Sequence, residues 1–254
     1  MGLRLQHRVT LLFLLTISAP FSIGCGSGGY NAKMENRTKQ LKRQAPFVAL
    51  NAPTEIPNTS VKIAVPKILS HFLTLDTEDA SSPTGKISPE RVKLSILKIP
   101  GSFCAYDAEG DLADGTKATM ACQIAVIANT APEAAALPAL ITAGLGMAFP
   151  GKAVAFEATE VDTPEDTKLP WKMLHVDADL LFDLKDAGGT NQLKKLPAVV
   201  EVWWHEGKHY QTLLIWRAAK EVEEKVKLMD LARISAGTLT EAAPPAPAEP
   251  AKGE

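Results

Sequence analysis

Apolar and polar residues alternate with a period of two along much of this chain, most clearly where Val176, Ala178, Leu180 and Phe182 interleave with Asp177, Asp179 and Asp183. Successive side chains of a strand point to opposite sides, so this run predicts one buried face and one acidic face. Residues 198–204 and 209–216 are β-branched and aromatic runs on either side of Gly207, which predicts a hairpin. Two further runs, 102–106 and 120–127, flank a stretch rich in Gly and Asp and predict a second hairpin centred near Ala113. Shorter alternations at Val61, Ile63 and Val65, at Val92, Leu94 and Ile96, and at Val154, Phe156 and Ala158 predict single strands.

Helical spacing is scarcer. Leu228, Leu231 and Ile234 share one face of a helix expected over 225–236, with Gly237 as its stop. Residues 132–149 are Ala-rich and begin with Pro132 in a favourable first turn, but Pro138, Gly144 and Gly146 interrupt them, so a broken helix is expected. Tyr30, Met34 and Leu41 recur at near-helical spacing and predict a short helix over 30–44, followed by a Pro-rich linker over 45–57. Residues 77–89 are polar and rich in Ser and Pro, which predicts a loop. The expected fold class is α+β, an antiparallel sheet with helices packed on it in an α/β/α-type sandwich. The expected organisation is a signal at 1–24, a leash with a basic helix and Pro-rich linker at 25–60, and a globular domain at 61–240. A disordered tail at 241–254, carrying Pro244, Pro245, Pro247 and Pro250, completes it.

Composition changes this picture little. At 46% hydrophobic and 22% charged the chain reads as globular, and its four Trp all follow residue 170, so the best-specified core is expected in the last third. Charge is placed unevenly. The stretch 30–43 holds Lys33, Arg37, Lys39, Lys42 and Arg43 against Glu35 alone, while the whole chain carries −2, so the body beyond Arg43 is acidic. That balance argues against nucleic acid as a partner.

The N-terminus points to location. Arg4 and Arg8 precede an apolar run over 9–17 that is too short to span a bilayer, and small residues lead to Gly24 and Cys25. A small residue directly before a Cys at the end of such a run resembles the lipobox of bacterial lipoproteins, although Ser22 and Ile23 stand where the commonest lipobox carries Leu and Ala or Ser, and an ordinary cleaved signal is the alternative. The resemblance implies cleavage before Cys25 and a diacylglyceryl group on its thiol, with the membrane as partner through that lipid. The basic segment beside it either lies against anionic headgroups or merely spaces the domain from them.

Three candidate chemistries remain. His205, Glu206 and His209 spell HExxH, by which zinc proteases set two His ligands and a general base on one helical face. Here Val199, Val200, Val202, Trp203 and Trp204 precede the string and Tyr210, Thr212 and Leu214 follow it, which favours a hairpin; His205 and His209 remain metal candidates across its tip. Asp107, Glu109, Asp111 and Asp114 resemble a calcium loop, but Leu112 stands where such a loop needs Gly and Ala118 where it needs Glu, so an acidic hairpin loop is expected. Cys104 and Cys122 would face each other across a hairpin centred near Ala113, a candidate disulfide contributing about 3 kcal/mol, with two buried thiols as the alternative. No phosphate loop, dinucleotide fingerprint or nucleophile elbow is present, and no cofactor is implied.

Gly24, Cys25 and the Gly/Ser leash into Tyr30, Met34, Glu35 and Arg37 resemble the start of small lipoproteins of planctomycete bacteria. Trp171, Trp203 and Trp204, the run Leu213 to Arg217, and the helix ending at Gly237 are similar to their C-terminal end. The resemblance implies an α/β sandwich akin to the PsbP-like fold and no activity. The expectation is therefore a lipid-anchored extracytoplasmic protein of the cell envelope, on its periplasmic or outer-membrane side. It would bind or scaffold an envelope partner, with a zinc hydrolase built on the HEGKH segment as the alternative.

Overall fold

The computed structural model describes residues 27–75, 97, 102–186, 188–189 and 191–244. The chain divides into two compact units, Met1–Ala45 and Pro46–Glu254. Helix α1 (Ser27–Gln44) belongs to the first. Its Tyr30, Met34 and Leu41 are all exposed, so its apolar positions do not form a buried stripe. Cys25 lies outside the described residues, as do the strand expected at Val92 to Ile96 and the loop over 77–89.

The second unit is an α+β fold. Strands β1 (Thr54–Glu55), β2 (Val61–Ile63) and β3 (His71–Leu75) come first. The hairpin β4 (Ser102–Asp111) and β5 (Lys117–Ala128) leads through a 3-10 turn to α2 (Leu137–Ala148) and then β6 (Glu157–Asp162). A three-strand run, β7 (Lys168–Lys185), β8 (Asn191–Glu206) and β9 (Tyr210–Ala219), ends in α3 (Lys220–Val226), α4 (Leu228–Ala236) and β10 (Thr240–Glu241). The main sheet has the order β3-β4-β5-β9-β8-β7-β6, and β1-β2-β10 make a smaller one. Both sheets are antiparallel throughout.

Strand alternation divides the apolar residues between two cores. Ala125 and Ile127 of β5, Val200 and Val202 of β8, and Leu213 and Ile215 of β9 meet Leu137, Ile141 and Leu145 of α2. Their neighbours in sequence, Ile124, Val126, Trp203, Leu214 and Trp216, meet Val222 of α3 and Leu228 and Ala232 of α4. Helices thus cover both faces of the sheet, the layered arrangement that the alternation implied.

The β7–β8 ribbon bends this plan. Even-numbered Leu174 and Val176 lie in the α2 core, whereas even-numbered Phe182 and Leu184 lie in the other. The register runs unbroken from Lys172↔Trp204 to Lys185↔Asn191, so no bulge has switched the faces. Strand twist accumulating along the ribbon accounts for the change of face. Its far end then pairs with β5 through Lys117↔Lys185 and Ala118↔Leu184.

Several expected boundaries move. The Pro-rich linker is only partly extended: residues 45–49 form a 3-10 turn, Thr54 and Glu55 pair with β2, and Leu50 and Ile56 are buried. Apolar side chains within reach of a core recruited this segment, so the globular unit begins well before residue 61. At the other end Glu241 is a strand residue rather than part of the tail. Strand β6 starts at Glu157, leaving Val154 and Phe156 to pack against the α2 core ahead of it.

The single helix expected over 225–236 is two, broken at Lys227 with φ 57°. Glu223 accepts the N–H of Met229 at 3.2 Å and so supports the start of α4. Gly237 serves by its size rather than by a left-handed turn, since a Cβ there would lie 2.1 Å from the Asp162 carbonyl oxygen.

Candidate functional site

The HEGKH segment is a hairpin tip. β8 ends at Glu206, β9 begins at Tyr210, and His205 stands opposite Thr212, so the two histidines are not a cross-strand pair. His205 is 7% exposed; its Nδ1–H donates to the Pro170 carbonyl at 2.8 Å and its ring lies 5.2 Å from that of Trp171. Glu206 is ion-paired with Lys172 at 2.5 Å, and that ammonium also sits 4.3 Å from the Trp204 ring centroid.

The turn itself is filled by Glu241. Its carboxylate accepts the backbone N–H of Lys208 at 2.5 Å and those of His209 and Tyr210 at 3.2 Å. A Cβ on Gly207 would fall 2.4 Å from Glu241 Oε2, which explains the glycine. Asn129 Nδ2–H donates to the carbonyls of Gly207 and Lys208 at 3.0 and 3.1 Å. The zinc-protease spacing needs a helix, and strand propensity on both sides prevents one. Among the described residues no group of three His, Cys, Asp or Glu could hold a metal ion.

Other candidates are dispersed as well. The β4–β5 hairpin turns around Asp114 rather than Ala113, so Cys104 faces Ile124 and Cys122 faces Tyr106. The cysteines sit diagonally as buried free thiols, offset from the direct opposition that would favour a bridge. Burial pushes the Cys104 thiol up to about 12 and that of Cys122 well above its ordinary value.

Asp107, Glu109 and Asp111 are strand residues rather than loop ligands. Asp107 meets His71 at 3.2 Å and Glu109 pairs with Lys185. The acidic face of β7 likewise resolves into separate contacts: Asp177 with Lys220 at 3.9 Å and Asp179 with Lys195 at 4.0 Å.

One place gathers what these do not. On the face of β7–β8 toward α3, His175 stands directly opposite Glu201, a carboxylate only 8% exposed. Glu201 Oε2 accepts the Trp203 indole N–H at 2.9 Å, and its Oε1 lies 3.2 Å from His175 Nδ1. An ionised carboxylate only accepts, so Nδ1 carries the hydrogen, and in the neutral ring Nε2 is the nitrogen with the lone pair. That nitrogen lies 3.8 Å from Asp177 Oδ2. Lys220 joins the cluster to a neighbouring open cavity of 270 Å³, lined by Leu112, Leu196, Pro197, Ala219, Lys220, Glu221 and Glu224.

Glu223, half-buried on α3, titrates above the ordinary carboxylate range chiefly because burial disfavours its charge, with Glu201 adding to the rise. Sequence reasoning passed over His175, Glu201 and the groove. The available signal was Glu201 itself, a charge inside the run Val199, Val200, Val202, Trp203, where only a partnered carboxylate is tolerated.

No family model matches the chain, and no curated protein matches it. Among solved structures it is similar to a protein from Bacteroides thetaiotaomicron VPI-5482, at 10% identity and a TM-score of 0.27, over 55% of this chain and 45% of that one. The chain thus spans less than half of that protein's length, and a likeness this distant carries no argument about function. None of the helices among the described residues is long and apolar enough to cross a membrane.

Proposed function

We propose that this chain is a lipid-anchored extracytoplasmic protein of a bacterial envelope, on its periplasmic or outer-membrane side, whose globular unit binds or scaffolds a partner there. The observation that carries the binding role is the groove beside α3. Its lining combines apolar Leu112, Leu196, Pro197 and Ala219 with Lys220, Glu221 and Glu224, which carry both signs of charge, and it is open to solvent. That is the make-up of a site which buries an apolar group and orients it by its polar ends. Anchoring rests on Arg4, Arg8, the apolar run over 9–17 and Cys25, and on the likeness of both chain ends to planctomycete lipoproteins. An acidic body makes an envelope protein a better partner than nucleic acid.

The two halves are tested separately. Cells fed a clickable palmitate analogue should label the wild-type chain and not Cys25→Ala; equal labelling of both removes the anchor. A photo-crosslinking residue at Glu224 should capture one reproducible envelope protein that the same residue at Lys152 does not. Identical capture at both positions removes the groove as the binding surface.

A further inference from the structure

We propose that His175 and Asp177 form a binding site for a zinc-class divalent cation, oriented from behind by Glu201 and Trp203. The two ligands are alternate residues of β7, so they project from the same face. His175 Nε2 and Asp177 Oδ2 are 3.8 Å apart, two acceptor atoms with no hydrogen to share when the imidazole is neutral. Ligand atoms on one tetrahedral zinc lie about 3.3–3.5 Å apart, given bonds of roughly 2.0–2.1 Å. Both side chains are about half exposed, at 47% and 59%, so a small rotation closes the difference.

The group behind the ring makes this more than a surface ion pair. Metal-binding histidines donate their other N–H to a carboxylate, which fixes the tautomer and raises the basicity of the ligating nitrogen. Glu201 does so for His175, and Trp203 holds Glu201 in place. Nowhere else among the hydrogen bonds described for this chain does a carboxylate anchored in the core take a histidine N–H.

Two charged groups of α3 face the cluster: Glu223, which feels the charge of Glu201, and Lys220, 3.9 Å from Asp177 Oδ1. Its ammonium occupies the carboxylate that the ion would take, so lysine and metal compete. Two protein ligands leave the remaining coordination positions to water or to a donor atom of a molecule seated in the adjoining groove. The inference needs no lipid anchor and no partner protein, so it stands or falls apart from the reading above.

The experiment is a titration of the purified, chelator-free full-length chain with zinc chloride, followed by calorimetry and by the Trp203 indole N–H resonance. One ion should bind in the micromolar range and move that resonance through Glu201. His175→Ala and Asp177→Asn, both at exposed positions, should lose saturable binding, and Glu201→Gln should weaken it about 10- to 100-fold. Lys220→Gln should tighten binding severalfold, an effect that a general loss of structure does not produce. His205→Ala should bind like wild type. Absence of saturable binding, or equal affinity in wild type and His175→Ala, overturns the proposal.

Discussion

Two histidine-bearing places on the β7–β8–β9 sheet invert the order that their sequences suggest. The HEGKH tip carries the metal-binding spelling, yet His205 is committed to the Pro170 carbonyl and packed on Trp171, and Glu241 occupies the turn. The His175 cluster has no motif at all. It nevertheless offers an exposed imidazole nitrogen 3.8 Å from one carboxylate, with an anchored carboxylate behind the ring. A motif names residues, while chemistry needs lone pairs that the fold has left unspent. The first place stabilises the fold, and the second is open to bind.

The contrast breaks most readily at the tip. Removing Glu241 strands three backbone N–H groups, so Glu241→Ala should lower unfolding stability by about 2–3 kcal/mol, read by urea denaturation. A loss under about 0.5 kcal/mol would show the carboxylate to be decoration. His205→Ala should cost about 2 kcal/mol through the lost ring packing and hydrogen bond. A negligible cost would return His205 to the pool of free ligands.

A finer test uses pH. Glu223 is protonated more readily in the folded chain than in the unfolded one, because its folded value lies above the ordinary 4.5. Its penalty is therefore fully present above the raised value and disappears as pH falls toward 4.5. Urea midpoints of Glu223→Gln should vary less with pH across that window than those of the wild type, and parallel curves would refute the assignment. The smallest effect belongs to the second place: His175→Ala should cost about 1 kcal/mol, because losing the exposed ring takes only one hydrogen bond from Glu201, which keeps that of Trp203. Should it cost as much as His205→Ala, the difference between the two places collapses.

How far the residues foretold this depends on the distance over which each interaction acts. Alternation at Val176 to Asp183 and the β-branched runs around Gly207 are local signals, and the strands and the tip hairpin followed them. The layered α+β arrangement followed as well. What failed to show was set by distant partners. The two-residue shift of the Cys104 hairpin depends on where the turn closes, by Asp114 and Gly115. The break at Lys227 depends on Glu223 reaching Met229. The opposition of His175 and Glu201 spans 26 residues and required the β7–β8 register, which no short window contains. The coiling of that ribbon was equally hidden, because twist accumulates over its whole length.

The clasp at residue 241 also sets an order of events in time. Strand β10 pairs with β2, Ala242 donates its N–H to the carbonyl of the adjoining Ser60, and Glu241 fills the β8–β9 turn, so two distant regions wait on one short segment. Synthesis runs from the N-terminus, so β10 is made after both of the regions that it completes. Until then the small sheet lacks a strand and the tip lacks its anion. The small sheet and the β8–β9 tip are therefore completed only after β10 has been made.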